Sequence, residues 1–96
     1  MYTTGKLYRT REPQLGKIGD KVGIRLIGDT VSITIYGSES KPDELADMAD
    51  IAPDSSPFTS EGFLNFDLLP KYIAFDGTVT GIEVSNVALT LIDDIE

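Results

Sequence analysis

Ninety-six residues make one domain, and a chain of that size hides only roughly 60–70% of the surface it exposes when unfolded. The sequence has no His and no Cys, which removes the commonest general base, every thiolate nucleophile, any disulfide framework and the zinc sites built from either residue. A net charge of −8 argues against general nucleic-acid binding.

That charge is unevenly placed. Residues 1–25 hold six Lys or Arg against two acids, a balance of +4, whereas residues 26–96 hold two against fourteen, a balance of −12. Residues 1–20 read as a basic, extended N-terminal arm punctuated by Gly5, Pro13, Gly16 and Gly19. Their apolar residues fit no single period, and one short strand is expected near Lys6–Arg9. The stretch Met1–Lys6 lacks the apolar segment of a signal peptide. No apolar run approaches the roughly 18–20 residues of a membrane span, so a protein without membrane contact, made in the cytoplasm, is expected.

Residues 21–96 form the domain proper. Val22–Leu26 alternates apolar and other residues, as a half-buried strand does. Gly28-Asp29 is a turn signal, so a hairpin to the next strand is expected. Thr30–Tyr36 is rich in β-branched residues, with Val31, Ile33 and Ile35 on one face and Ser32, Thr34 and Tyr36 on the other. Ser40 followed by Asp43, with Leu45, Met48 and Ala49 at helical spacing, predicts one short helix over 43–50. A Pro- and Ser-containing loop follows, then a strand over 62–68.

Asp76-Gly77 resembles a two-residue hairpin turn. Such a turn would set Phe75 against Thr78 and Ile73 against Thr80, pairing core residues with polar ones. A strand running straight through keeps Ile73, Phe75, Gly77 and Val79 on one face, so 71–80 is read as one strand with Gly77 as a bulge candidate and the reversal after Gly81. The apolar phase flips at Ser85-Asn86. Residues 86–92 make the last strand, with Val87, Leu89 and Leu91 inward, before a charged tail. Phe58, Phe63, Phe66 and Phe75 are read as core. The fold class is therefore all-β: a small antiparallel two-sheet sandwich with one short helix and an extended N-terminal arm.

No catalytic, cofactor-binding or metal-binding residues emerge. Gly16, Gly19 and Gly23 are too widely spread to cradle a phosphate. Asp43, Glu44, Asp47, Asp50 and Asp54 have helical rather than calcium-loop spacing and lack the central Gly, so they read as a solvated face. The interface candidates are Tyr2, Lys6, Tyr8, Arg9 and Arg11 in the arm, where aromatic and basic residues suit an acidic partner. Tyr36 and Tyr72 join them on the polar faces of their strands. The alternative for those two is a sheet covered on both sides.

Three segments carry a family resemblance. Thr30-Val31-Ser32-Ile33-Thr34-Ile35-Tyr36-Gly37-Ser38-Glu39, Leu69-Pro70-Lys71-Tyr72-Ile73-Ala74-Phe75, and Thr78-Val79-Thr80-Gly81 with Val87-Ala88-Leu89-Thr90-Leu91-Ile92 are similar to strands of small virion proteins of tailed bacteriophages. The type they resemble is the jelly-roll capsid decoration, or cement, protein. The likeness spans about two-thirds of the chain and leaves residues 1–27 unmatched. It implies a jelly-roll-like sandwich that forms homotrimers, binds the outside of a capsid and resides in the virion after assembly in the host cytoplasm.

The expectation is thus a non-enzymatic structural protein whose partners are itself and a larger protein assembly, with no cofactor, no nucleic acid and no membrane. Two other classes stay open. An acidic DNA mimic would use the −12 of residues 26–96, though the basic arm spoils the mimicry. A carbohydrate-binding or adhesin module is the other, weakened by the absence of Trp.

Overall fold

A computed structural model describes residues 2–11, 22–53, 56–59, 62–66, 69–85 and 87–95, with the side chain of Phe63 excepted. The strands are β1 (Lys6–Thr10), β2 (Val22–Ile27), β3 (Ser32–Ser38), β4 (Ala49–Asp50), β5 (Gly62–Phe66), β6 (Tyr72–Thr78), β7 (Gly81–Ser85) and β8 (Leu89–Asp94). They form a five-stranded sheet in the order β4-β3-β6-β1-β8 and a three-stranded sheet in the order β5-β2-β7. Every pairing is antiparallel. Three of the pairs are nested, β1 with β8, β2 with β7 and β3 with β6, as in a long hairpin rolled so that alternate rungs fall in opposite sheets. The expected all-β sandwich is present.

The core lies between the sheets. Tyr8, Ile33, Ile35, Ile73, Phe75 and Leu89 of the larger sheet meet Val22, Ile24, Leu26 and Ile82 of the smaller one. Tyr2, Phe58, Phe66 and Val79 pack at its margin. Ile24, Ile33, Ile35, Ile73 and Ile82 have no exposed surface at all. A second cluster lies on the outer face of the larger sheet, where Leu7 and Ala74 are covered by Met48 and Ile95, with Tyr36, Leu45 and Tyr72 around them.

β6 runs straight through Asp76-Gly77, as the alternation requires. Gly77 pairs with Ile33 in unbroken register, so it is no bulge. Its role is a close approach: with φ at 126°, a Cβ there would lie 1.8 Å from the Ser32 carbonyl oxygen. The reversal falls at Val79-Thr80, two residues before the expected place, because Gly81 already pairs with Ile27.

Three expectations need correction. β2 and β3 do not form a hairpin, since both edges of β2 are taken, by β5 and β7. The chain at Gly28 instead crosses to the other sheet with φ at 150°, and the Thr80 amide donates to the Ile27 carbonyl at 2.9 Å. The helix over 43–50 shrinks to a single 3-10 turn at Leu45–Asp47. Eight residues gain too few hydrogen bonds to offset nucleation. Met48 is instead buried under the outer cluster, and Ala49 and Asp50 pair with Gly37 and Tyr36. Ser40 does not cap that turn: its amide donates to Ser38 Oγ, while Asp47 Oδ2 accepts from the amides of Asp43 and Glu44 at 3.3 Å each.

The arm is the third. The strand expected near Lys6–Arg9 exists as β1, but it lies inside the larger sheet, between β6 and β8. Its side chains alternate between two apolar environments, Tyr8 in the main core and Leu7 in the outer cluster. A strand buried on both faces shows no polar/apolar period. Leu15 and Ile18, two further apolar residues of the arm, lie outside the described residues, as do Asp54 and Asn86.

Candidate interaction surface

The surface is organised by rows of residues that run across the larger sheet. On its outer face, Ser38, Tyr72, Arg9 and Thr90 make one row and Tyr36, Ala74, Leu7 and Asp93 the next. On its inner face, Gly37, Ile73, Tyr8 and Leu91 share a row.

The candidate arm residues divide between these rows. Tyr8 is 5% exposed and stacks edge-on against Phe75 and Tyr2, with centroids 6.1 and 5.1 Å apart. Its hydroxyl accepts from the Thr3 amide at 2.9 Å. Tyr2 bridges Ile82 through its backbone, and its hydroxyl accepts from the Leu89 amide at 3.1 Å. Tyr8 is therefore part of the domain's own core, and Tyr2, half-buried, packs at its margin. Apolar rings beside the domain's own sheet gain more area by packing there than by staying extended in water.

The three cations stay at the surface. Lys6 is ion-paired with Asp94; the hydrogen bond to that carboxylate, then its charge, holds the ammonium above the ordinary lysine range. Arg9 sits over the Tyr72 ring at 5.2 Å from the centroid, a cation–π contact. Arg11 is exposed, and its amide donates to the Ala88 carbonyl at 2.9 Å.

Tyr36 and Tyr72 are half-buried at the border of the outer cluster, so this face is covered by the chain's own segment around Met48 and by Ile95. That matches the alternative of a sheet covered on both sides. The acids Asp43, Glu44 and Asp47 are exposed, as a solvated face would be, while Asp50 is half-buried and accepts from the Ala52 amide at 2.8 Å and the Ser56 hydroxyl at 3.0 Å. Among the described residues no group of three or more acids is placed to hold a metal ion, and no helix is long and apolar enough to cross a membrane.

Sequence reasoning missed the feature that stands out on this surface. Leu91, assigned to the core, is 58% exposed, and its neighbour Ile92 is 36% exposed. The assigned face was correct, since Leu91 shares its row with Tyr8 and Ile73. The burial was not, because β8 is the outermost strand of a five-stranded sheet faced by only three strands, and the cover stops between Leu89 and Leu91. Ile92 is the extra residue of a bulge: Tyr8 pairs with Leu91 and Leu7 with Asp93. No alternation within β8 could reveal this, because it depends on the width of the opposite sheet.

On the other side of the larger sheet β3 is covered by short segments of the chain, the two-residue β4 being outermost. β4 and Phe58 pair with β3, and the Ile51 amide donates to the Ile35 carbonyl. β8 has no strand on its outer side among the described residues, where the Leu89 amide is held by the Tyr2 hydroxyl. No family model, curated protein or solved structure matches this chain.

Proposed function

We propose that this chain is a non-enzymatic assembly protein, a small β-sandwich that binds copies of itself and a larger protein particle. Its setting on this reading is that of a capsid decoration or other auxiliary protein of a tailed-phage virion. The supporting observation is the open edge of the larger sheet at β8, where Leu91 and Ile92 stay in water although the rest of the strand's apolar surface is buried. Uncovered strand edges are pairing templates that proteins ordinarily blunt. An edge that keeps large apolar residues exposed serves contact better than it serves a solitary domain. The strand resemblance to decoration proteins supplies the setting, and the nested strand pairs are compatible with it.

The test is cofractionation. An antibody to this chain would be used on density-gradient fractions of particles from cells carrying its gene. Finding the chain in the particle fraction at fixed stoichiometry supports the proposal. Finding it only among unassembled proteins sinks it.

A further inference from the structure

The charges that flank β8 are arranged in a way that selects its occupant. The start of the strand lies beside one exposed cation, Arg11, whose amide binds the Ala88 carbonyl, while Arg9, paired with Thr90, carries its guanidinium over Tyr72 on the far side of β1. The far end carries Asp93 and Asp94, with only Lys6 to offset them. The edge is therefore positive at one end, apolar in the middle and negative at the other.

Such an edge is complementary to itself under a two-fold axis perpendicular to the strand. We propose that β8 pairs antiparallel with β8 of a second copy, the axis passing near Leu91 and Ile92. In that arrangement the exposed apolar pair of each copy covers that of the other. Asp93 falls across from Thr90 of the second copy, on the same outer face as Arg9 one strand further in, with Arg11 at the strand end. A parallel arrangement would oppose carboxylates with carboxylates and guanidinium groups with each other, which disfavours it.

The contact closes on itself. A two-fold, isologous pairing consumes the β8 edge of both copies, and the strand at the opposite edge of the larger sheet, β4, is only two residues long. The product is a dimer and not a fibre. The bulge at Ile92 keeps the ladder short. Two apolar side chains and a few backbone pairs per copy supply less than the roughly 1,000 Å² that marks a stable interface. Association in dilute solution is accordingly weak, and it strengthens where a particle holds copies at high effective concentration. The inference deepens the assembly reading by naming the contact, and it sets a two-fold where the family resemblance implies a three-fold.

Sedimentation velocity on the full chain tests it, over a series from about 1 µM to about 1 mM, a span set by the micromolar-to-millimolar affinity of small interfaces. A monomer–dimer equilibrium is expected, with the amides of residues 89–94 exchanging more slowly as concentration rises. Leu91→Lys, at an exposed position that leaves the fold intact by circular dichroism, weakens the dimer by tenfold or more. Asp93→Arg and Arg11→Glu, each alone, give edges with unbalanced charge and weaken self-pairing. Mixing the two variants restores dimers, which a merely structural effect of either change would not do.

A chain that stays monomeric across the series overturns the inference. So does a dimer, or a trimer, that the Leu91 and Asp93 variants leave unchanged. A chain that stays monomeric yet cofractionates with particles overturns this contact and leaves the assembly reading standing.

Discussion

Gly77 looks dispensable by exposure, yet replacing it should be among the most damaging single changes in the chain. Gly77→Ala adds one methyl group on an exposed residue in β6. The backbone there has φ at 126°, and the new Cβ would stand 1.8 Å from the Ser32 carbonyl oxygen and 2.9 Å from its carbon. A left-handed conformation with a side chain costs about 1–3 kcal/mol. The clash is with backbone, so β3 must move by more than an ångström where Ser32 pairs with Thr78 and where Ile33 exchanges bonds of 3.0 and 2.8 Å with Phe58. Losing about two such bonds adds roughly 1 kcal/mol each.

The sum, about 3–5 kcal/mol, is a large share of the roughly 5–14 kcal/mol available to a domain of this length. Urea unfolding followed by far-ultraviolet circular dichroism should show the midpoint falling by about 2 M or more, at the slope of about 1–1.5 kcal/mol per molar usual for small domains. Gly5→Ala is the matched control. Its φ is 75°, but nothing lies within 4 Å of the added methyl, so only the conformational cost of about 1–2 kcal/mol applies. If the two variants lose stability equally, close approach is not what holds position 77 to glycine and the reasoning fails.

Three further outcomes are expected. Ile33→Ala, at a site with no exposed surface, should cost about 2–5 kcal/mol in the same urea assay, whereas Leu91→Ala should leave monomer stability nearly unchanged; equal losses would mean that β8 is covered. Tyr8→Phe and Tyr2→Phe each remove the acceptor of a backbone amide, that of Thr3 and that of Leu89, and should each lower stability by about 0.5–1.5 kcal/mol, checked against the slower-exchanging amides of Thr3 and Leu89 in the parent. The Lys6 ammonium, held by Asp94, should titrate above an ordinary lysine when followed by NMR at its ε-methylene, and Asp94→Asn should return it. Because that group's pKa is raised by folding, its contribution is complete below the unfolded lysine pKa and disappears as pH rises through the folded one.

The strands that were legible in the sequence are those whose large apolar residues all fall on one face. Ile33 and Ile35, Ile73 and Phe75, and Val87 and Leu89 all point inward as their alternation dictates. The straight run through Asp76-Gly77 also followed from alternation, since a turn there would have mismatched both flanking pairs. What failed were features set by distant partners. Lys6–Thr10 shows no period because Leu7 and Tyr8 are both buried, on opposite faces of the sheet. The Gly28-Asp29 turn was real as a change of direction but led to the other sheet, which no local signal encodes. The helix over 43–50 had adequate capping residues, yet the burial of Met48 and the pairing of Ala49 beside β3 outweighed them. For the surface, Lys6, Arg9 and Arg11 lie at or near solvent and Tyr8 lies in the core, and the exposed Leu91 could be found only once the widths of the two sheets were known.

The nested strand pairs bear on the order in which this chain can fold as it leaves the ribosome. Ile35 meets Phe75 about forty residues later, Ile24 meets Val84 after about sixty, and Tyr8 meets Leu91 after more than eighty. Early segments such as β1 and β2 must wait for partners not yet synthesised, holding Tyr8, Ile24 and Leu26 in water meanwhile. Closing loops of that length before any contact rewards them makes folding slow, in the millisecond-to-second range of β-rich domains. The nascent protein is therefore exposed to wrong partners for most of its synthesis, and the short pairing of β3 with β4 and Phe58 is the first structure it can build, ahead of β2 with β5.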